Sequence, residues 1–124
     1  ANNAVSLSFY WPDLERQVII LGLATKVSDA VSDSYFKSRP KGSQLGAWVS
    51  KQSEVIPSAK VLQKRMVQLE NEYQERPVKR PNHWGGYEVV PHSIEFWQGR
   101  PNRLHDRIRY RLENNRWIKE RLSP

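Results

Sequence analysis

Apolar and polar residues alternate near both ends of the chain, whereas the middle lacks this alternation. Over residues 5–9 the apolar side chains alternate with serine, and over residues 107–112 they alternate with arginine. A period of two residues is typical of a β-strand that buries one face. The middle of the chain instead has apolar residues at helical spacing. The order of strands, helices and strands predicts an α+β fold with an antiparallel sheet.

The alternation and the turn residues together predict six strands. Trp11-Pro12-Asp13 breaks the first pattern and makes the first two strands a hairpin, and Asn114-Asn115 can adopt the positive φ of a second hairpin turn. Six strands are few for a closed barrel and leave an unpaired edge, so we expect further strands upstream. The predicted strands cover residues 5–9, 16–27, 84–90, 93–98, 107–112 and 117–122.

Three helices are predicted between the two groups of strands. Ser28 is suited to cap the first helix, which ends near Ser38 because Pro40 excludes helical geometry at the residue before it. A second, short helix is expected over residues 43–51, and a third begins near Pro57 or Ser58. The third helix carries one apolar stripe and ends before Pro77; the stripe consists of Leu62, Met66, Leu69 and Tyr73.

The composition indicates a globular domain with anionic partners. Hydrophobic residues make up 38% and charged residues 27% of the 124 residues, which argues against disorder. The absence of cysteine excludes disulfides and thiolate metal sites. The longest apolar run, residues 18–24, is too short to span a bilayer, and no signal-peptide pattern opens the sequence, so a cytoplasmic location is expected. The net charge of +7 favours nucleic acid, acidic membrane or phosphorylated small molecules.

The first candidate site is formed by Tyr35, Arg39 and Ser43. Tyr35 and Arg39 are four residues apart and share a helix face, and the break at Pro40 allows Ser43 to turn back toward them. A guanidinium, a phenol and a hydroxyl make a suitable phosphate site, since arginine presents a fork of donors to phosphate oxygens. The alternative is an ordinary helix C-terminus, where arginine interacts with the negative end of the dipole.

The second candidate site lies between Trp97 and Arg107. Trp97 offers a flat apolar face, and Arg103, His105 and Arg107 share one face if the segment is extended. Two guanidinium groups beside an imidazole are unfavourable unless an anion or an electron-rich ring lies among them. The alternative is an exposed strand end.

Other polar positions give weaker indications. Gln52 and Ser53 follow the second predicted helix and could either bind a ligand or cap the helix. His83, His92 and His105 are far apart and lack the spacing of a helical metal site, so no metal is expected.

Several long motifs in this order resemble the pyridoxamine 5′-phosphate oxidase family. The resemblance covers essentially the whole chain, and its most specific part is the segment around Trp97. The motifs are YFKSRP at residues 35–40, SQLGAWVSKQS at 43–53, WGGY at 84–87, IEFWQG at 94–99, RLHDR at 103–107 and RLSP at 121–124.

The resemblance implies an FMN-binding split β-barrel that works as a homodimer with FMN at the subunit interface. Such an enzyme oxidises pyridoxine or pyridoxamine 5′-phosphate to pyridoxal 5′-phosphate, and O2 reoxidises the flavin to give H2O2. By the same resemblance, Tyr35, Arg39 and Ser43 hold the substrate phosphate, Arg103 and His105 are the catalytic residues that embrace the substrate ring, and Gln17, Gln52, Ser53, Trp97 and Arg107 contact FMN.

The sequence departs from the family in one respect. The family has an N-terminal half with further FMN-phosphate ligands and a substrate-phosphate lysine, and this half is not in the sequence. We therefore expect residues 1–124 to be the C-terminal part of one split-barrel domain. That part includes a dimerisation and substrate segment at about residues 84–124.

Two other functions remain open at this point. One is a flavin oxidase of another substrate, of the phenazine-biosynthesis type, for which the set of Tyr35, Arg39 and Ser43 has little use. The other is a non-catalytic module that binds flavin, B6 phosphate or nucleic acid, which the Arg103-Leu104-His105 motif disfavours. We expect neither nucleic acid nor a membrane as a partner.

Overall fold

The structure is a computed structural model that describes residues 2–124. The chain divides into two compact units. The sheet unit comprises residues 2–25 and 87–124, and the helical unit comprises residues 26–86.

Five strands form a single sheet in the order β1-β2-β3-β4-β5. The pairs β1–β2, β3–β4 and β4–β5 are antiparallel. The close approach of β2 and β3 requires a glycine, because a Cβ at Gly22 would lie 2.5 Å from the carbonyl oxygen of Val90. The strands are β1 (Ala4–Trp11), β2 (Arg16–Lys26), β3 (Tyr87–Gln98), β4 (Asp106–Glu113) and β5 (Arg116–Leu122).

Both predicted hairpins are confirmed. Strands β1 and β2 pair along their length, and the turn between them is a short 3-10 helix, Pro12–Leu14. Strands β4 and β5 are joined through Asn114 and Asn115, whose φ values are 50° and 59°. Asparagine tolerates this left-handed conformation better than most residues, which explains the choice of residue at the turn.

The prediction of six strands is wrong, because residues 87–98 form one continuous strand. Pro91 lies inside β3 but does not interrupt it. Strand β4 pairs with β3 only from Ser93 onward, so β3 has one neighbour at Pro91 and the missing N–H removes no bond to β4. Gly85 and Gly86 precede the strand instead of lying within it.

The sheet unit leaves its apolar side chains largely uncovered. Phe96 and Tyr110 pack edge to face with ring centroids 6.0 Å apart, yet Phe96 is 47% exposed. Among residues 2–124, the only buried hydrophobic side chains belong to the helical unit. An exposed apolar surface of this extent is typical of an interface or of a fold that other segments complete.

The helical unit contains α1 (Asp29–Ser38), α2 (Lys41–Val49) and α3 (Ala59–Glu72). The predicted cap is confirmed, since the Ser28 hydroxyl accepts a hydrogen bond from the N–H of Val31 at 3.3 Å. Helix α2 begins two residues earlier than expected because the Pro40 carbonyl accepts hydrogen bonds from Ser43 and Gln44. No helix within residues 2–124 is long and apolar enough to cross a membrane.

The hydrophobic core lies in the helical unit and consists of Phe36, Leu45, Leu69 and Val78. The predicted stripe on α3 is confirmed as the face that turns toward this core. Leu69 is 3% exposed, and Met66 and Tyr73 pack against the core. Leu62 is half-buried.

Candidate functional site

The indole of Trp84 brings together two of the three residues of the predicted phosphate site. The Tyr35 ring stacks on it with a centroid separation of 6.0 Å, and the Arg39 guanidinium carbon lies 5.0 Å from the centroid of the indole ring. Phe36 meets the indole edge to face at 5.1 Å, which anchors Trp84 to the core. Helix α1 thus presents Tyr35 and Arg39 to the same ring, as their spacing predicts.

Arg39 has a buried nitrogen without a hydrogen-bond partner. Its Nη1 atom is inaccessible to solvent and donates to no acceptor within residues 2–124. Burying a guanidinium N–H group without an acceptor costs folding free energy. Such a group therefore marks a position where a ligand can supply the acceptor. As the C-cap of α1, Arg39 has φ −74° and ψ 149°, the extended geometry that Pro40 imposes.

The third predicted residue of this site, Ser43, is exposed in the first turn of α2. Its backbone N–H donates to the Pro40 carbonyl at 2.9 Å. Within the described part of the chain, its hydroxyl forms no hydrogen bond with Tyr35 or Arg39. Its share in the phosphate site therefore stays a prediction.

Gln52 and Ser53 do not cap α2. The helix ends at Val49, and Ser50 is its C-cap residue. Gln52 and Ser53 instead form an exposed turn in which Glu54 N–H donates to the Lys51 carbonyl at 3.1 Å, and Ser53 has φ 64°. The capping interpretation is wrong because the helix is shorter than predicted, and a ligand-binding role stays a prediction.

In the sheet unit, the predicted site residues Trp97, Arg107, His105 and Gln17 lie on or beside adjacent strands. Trp97 on β3 is directly opposite Arg107 on β4, and the His105 ring packs on the indole with centroids 4.8 Å apart. Gln17 on β2 donates from Nε2 to the Ser8 hydroxyl at 3.0 Å. Gln17 and Trp97 both line an open, largely apolar groove of about 440 Å³.

The backbone fixes the tautomer of His105. The N–H of Arg100 donates to His105 Nδ1 at 3.2 Å, so Nδ1 carries the lone pair. In the neutral imidazole the proton is therefore on Nε2, which leaves Nε2–H as the donor available to a ligand.

Arg103 does not share an extended face with His105 and Arg107. Residues 101–103 form a 3-10 turn, in which Asn102 and Arg103 have φ values of 58° and 61°. Strand β4 begins only at Asp106. The shared face required an extended segment, and this condition is not met because Pro101 and the two left-handed residues turn the chain between β3 and β4.

Carboxylates neutralise most of the positive charge that the sequence concentrates here. Glu95 binds the Arg107 guanidinium through two hydrogen bonds of 2.7 and 3.2 Å, and this pairing raises the pKa of Arg107. Asp106 accepts from Arg100 at 2.8 Å and from Arg121 at 2.7 Å, and these two arginines lower the pKa of Asp106. The clustering therefore requires no bound anion at Arg107.

The sequence did not predict two residues of these sites. Trp84 contacts both Tyr35 and Arg39, and the backbone N–H of Arg100 donates to His105. The position of Trp84 in the WGGY motif was the one signal in the sequence that pointed to it. The Arg100 contact uses a backbone N–H, which no sequence pattern reveals.

Comparison with known sequences identifies the relatives of this fold and site. The family model described as "Pyridoxamine 5'-phosphate oxidase" matches residues 1–73. The model described as "Pyridoxine 5'-phosphate oxidase C-terminal dimerisation region" matches residues 84–124.

Curated relatives agree with these matches. A protein from Acaryochloris marina named pyridoxine/pyridoxamine 5'-phosphate oxidase is 58% identical over 119 residues, which are 96% of this chain and 54% of that protein. A protein of the same name from Flavobacterium johnsoniae is 58% identical over 124 residues, covering 99% of this chain and 58% of that protein. The chain thus spans somewhat more than half the length of the curated relatives it matches.

Two solved structures share the fold. PhzG from Burkholderia lata 383, solved with tetrahydrophenazine-1-carboxylic acid, has a TM-score of 0.87 at 27% identity and covers 98% of this chain and 59% of its own. A pyridoxamine 5'-phosphate oxidase-related, FMN-binding protein from Nostoc punctiforme has a TM-score of 0.65 at 12% identity, covering 98% of this chain and 63% of its own. The five-stranded antiparallel sheet with three helices is therefore a fold of the pyridoxamine 5′-phosphate oxidase type. Because the two family models match residues 1–73 and 84–124, the chain belongs to the pyridoxamine 5′-phosphate oxidase family.

Proposed function

We propose that the protein containing this chain is an FMN-dependent oxidase of pyridoxine 5′-phosphate or pyridoxamine 5′-phosphate. The products are pyridoxal 5′-phosphate and, with O2 as the acceptor, H2O2; with pyridoxamine 5′-phosphate, water hydrolyses the resulting imine and ammonia is released as well. The observation that carries the proposal is the buried, unpartnered Nη1 of Arg39, held beside Tyr35 by the Trp84 ring. A phosphate monoester supplies the acceptor oxygens that this donor lacks.

The phenazine oxidase is the second candidate, and the structural similarity to PhzG favours it. A carboxylate could also pair with Arg39, so the donor alone does not exclude such a substrate. Identity distinguishes the candidates: it is 58% to relatives named for B6 phosphates and 27% to PhzG. We therefore favour the phosphorylated substrate.

The chain's own residues would bind and orient the substrate in this reaction. Arg39, Tyr35 and Ser43 would bind its phosphate, and Arg103 would contact its ring. His105 would donate a hydrogen bond from Nε2–H to an acceptor on that ring, because Arg100 occupies Nδ1. When bound, FMN supplies the group that accepts hydride from the C4′ carbon of the substrate. None of these residues needs to act as a strong base.

FMN fits the chain through its ring better than through its phosphate. The Trp97 indole and the Gln17 amide line a largely apolar groove, which suits a planar ring system. Among the predicted FMN contacts, only Arg107 is cationic, and Glu95 already binds its guanidinium. A phosphate with about two negative charges requires several converging donors, and these have to come from elsewhere.

We propose that an upstream half completes both the barrel and the FMN site. The exposed apolar side chains of the sheet unit, which include Phe9, Trp11 and Phe96, support this. Residues 1–124 are then the C-terminal part of a split-barrel domain, and the assembled enzyme is a cytoplasmic homodimer. The family match over residues 84–124, described as a dimerisation region, supports the dimer.

Flavin binding tests this proposal. We expect the complete protein to purify with a flavin that chromatography identifies as FMN, because the assembled site supplies the missing phosphate donors. Residues 1–124 expressed alone should show no quenching of flavin fluorescence at micromolar FMN. The matched control is the same chain co-expressed with the upstream half, which should recover binding. Sub-micromolar binding by a monodisperse chain of residues 1–124 would mean that the site is self-contained.

A further inference from the structure

The helical unit contains a groove lined mainly by basic residues, and Arg39 is not among its lining residues. Its volume is about 780 Å³, and its apolar lining residues are the exposed Pro77 and the buried Phe36 and Val78. Five basic residues and one acidic residue, Asp33, line it, so the lining is strongly positive. The basic residues are Lys37, Lys41, Arg76, Lys79 and Arg80.

Carboxylates balance only part of this charge. Arg80 is 9% exposed and pairs with Asp29 at 2.7 Å and Asp33 at 2.6 Å, and Arg76 pairs with Glu72 at 3.6 Å. The three lysines of the groove form no ion pair with any described residue. A concave surface lined by one sign of charge raises the local concentration of ligands of the opposite sign.

The rim of the groove is held by hydrogen bonds within the helical unit. Lys41 Nζ donates to the Gln74 carbonyl at 2.8 Å, and Trp48 Nε1 donates to the Lys79 carbonyl at 2.7 Å. Gln44 Nε2 donates to the Lys37 carbonyl at 3.2 Å. The backbones that carry the lysines are therefore positioned before any ligand arrives, which lowers the entropy cost of binding.

We propose that this groove binds a phosphorylated small molecule with an apolar body. A phosphate monoester carries about two negative charges at neutral pH and matches lysines that have no carboxylate partner among the described residues. The exposed Pro77 and the aliphatic stems of the lysines can pack against a ring or chain attached to that phosphate. The groove is bounded by the end of α1, the start of α2 and the segment after α3, a compact shape that suits a small ligand rather than an extended strand of nucleic acid.

Protection of lysines from acetylation tests the site on the complete protein. With phenyl phosphate as the probe, mass spectrometry should show acetylation of Lys37, Lys41 and Lys79 slowed several-fold. Lys60 and Lys64, which are exposed on α3 outside the groove, are the internal controls and should react at an unchanged rate. Equal slowing at all five lysines would indicate a general ionic effect and would overturn the proposal.

Variants separate the groove from the substrate site. The double variant Lys37→Gln/Lys79→Gln should lose protection at Lys41, whereas Lys60→Gln/Lys64→Gln should retain it. Protection should also persist in Arg39→Ala, and its loss there would assign the effect to the substrate site. Inorganic phosphate at the same concentration should protect less, because it has no apolar body to pack against Pro77 and the lysine stems. Equal protection by the two probes would contradict an organic ligand.

Discussion

Replacing Arg39 by alanine in the complete enzyme is expected to raise the KM for pyridoxine 5′-phosphate roughly 30- to 1000-fold. The basis is the loss of a charge-assisted bidentate contact, about 2–4 kcal/mol. The buried Nη1 of Arg39 has no partner within residues 2–124, so its main expected acceptor is the substrate phosphate. Steady-state oxygen consumption over a range of substrate concentrations measures the change.

Two further variants control for folding and for charge. Arg65→Ala removes an exposed arginine of α3 that donates a hydrogen bond to Gln68, and it should leave KM unchanged. Arg39→Lys keeps the charge but loses the planar fork, so its KM should lie between those of wild type and Arg39→Ala. An unchanged KM in a folded Arg39→Ala protein would remove Arg39 from the substrate site.

Replacing His105 by alanine is expected to lower kcat/KM roughly 5- to 150-fold, the equivalent of about 1–3 kcal/mol for leaving a buried hydrogen-bonding group unsatisfied. The Arg100 N–H holds Nδ1, so the ring presents its Nε2–H to the ligand in one orientation. FMN affinity should change little, because His105 is expected to contact the substrate. Turnover and flavin fluorescence titration measure the two quantities separately.

A second substitution at residue 105 tests whether a hydrogen-bond donor there is sufficient. His105→Asn places a shorter donor and acceptor there and should recover only part of the activity. Loss of flavin from His105→Ala, with normal turnover in excess FMN, would instead make His105 a cofactor ligand.

The period-two segments at residues 5–9 and 107–112 predicted strands β1 and β4 correctly, because apolar and polar side chains alternate along both of them. Both hairpins and the cap at Ser28 followed from local residue chemistry. The strand count failed at Pro91, where the sequence shows a strand breaker but cannot show that β4 pairs only beyond it. Whether a proline interrupts a strand depends on which neighbour needs its N–H, and that is a tertiary property.

At the candidate sites, too, the sequence predicted local spacing but not tertiary contacts. The spacing of Tyr35 and Arg39 predicted their shared face, but the Trp84 ring on which they meet lies 45 residues beyond Arg39 in the chain. At the second site, alternation suggested an extended face for Arg103, whereas two left-handed residues turn the chain there. The charges of Arg107 and Glu95 are balanced across strands, so pairing could be known only once the register was known.

The most direct test of the proposed function is anaerobic mixing of the complete protein with pyridoxine 5′-phosphate while the visible absorbance of the flavin is followed. We expect the oxidised flavin band to bleach, admission of O2 to restore it, and H2O2 to be released. Pyridoxine without the phosphate, at the same concentration, should bleach it far more slowly because it cannot engage Arg39. A flavin band that pyridoxine 5′-phosphate leaves unchanged, or that both compounds bleach equally fast, would contradict the proposed function.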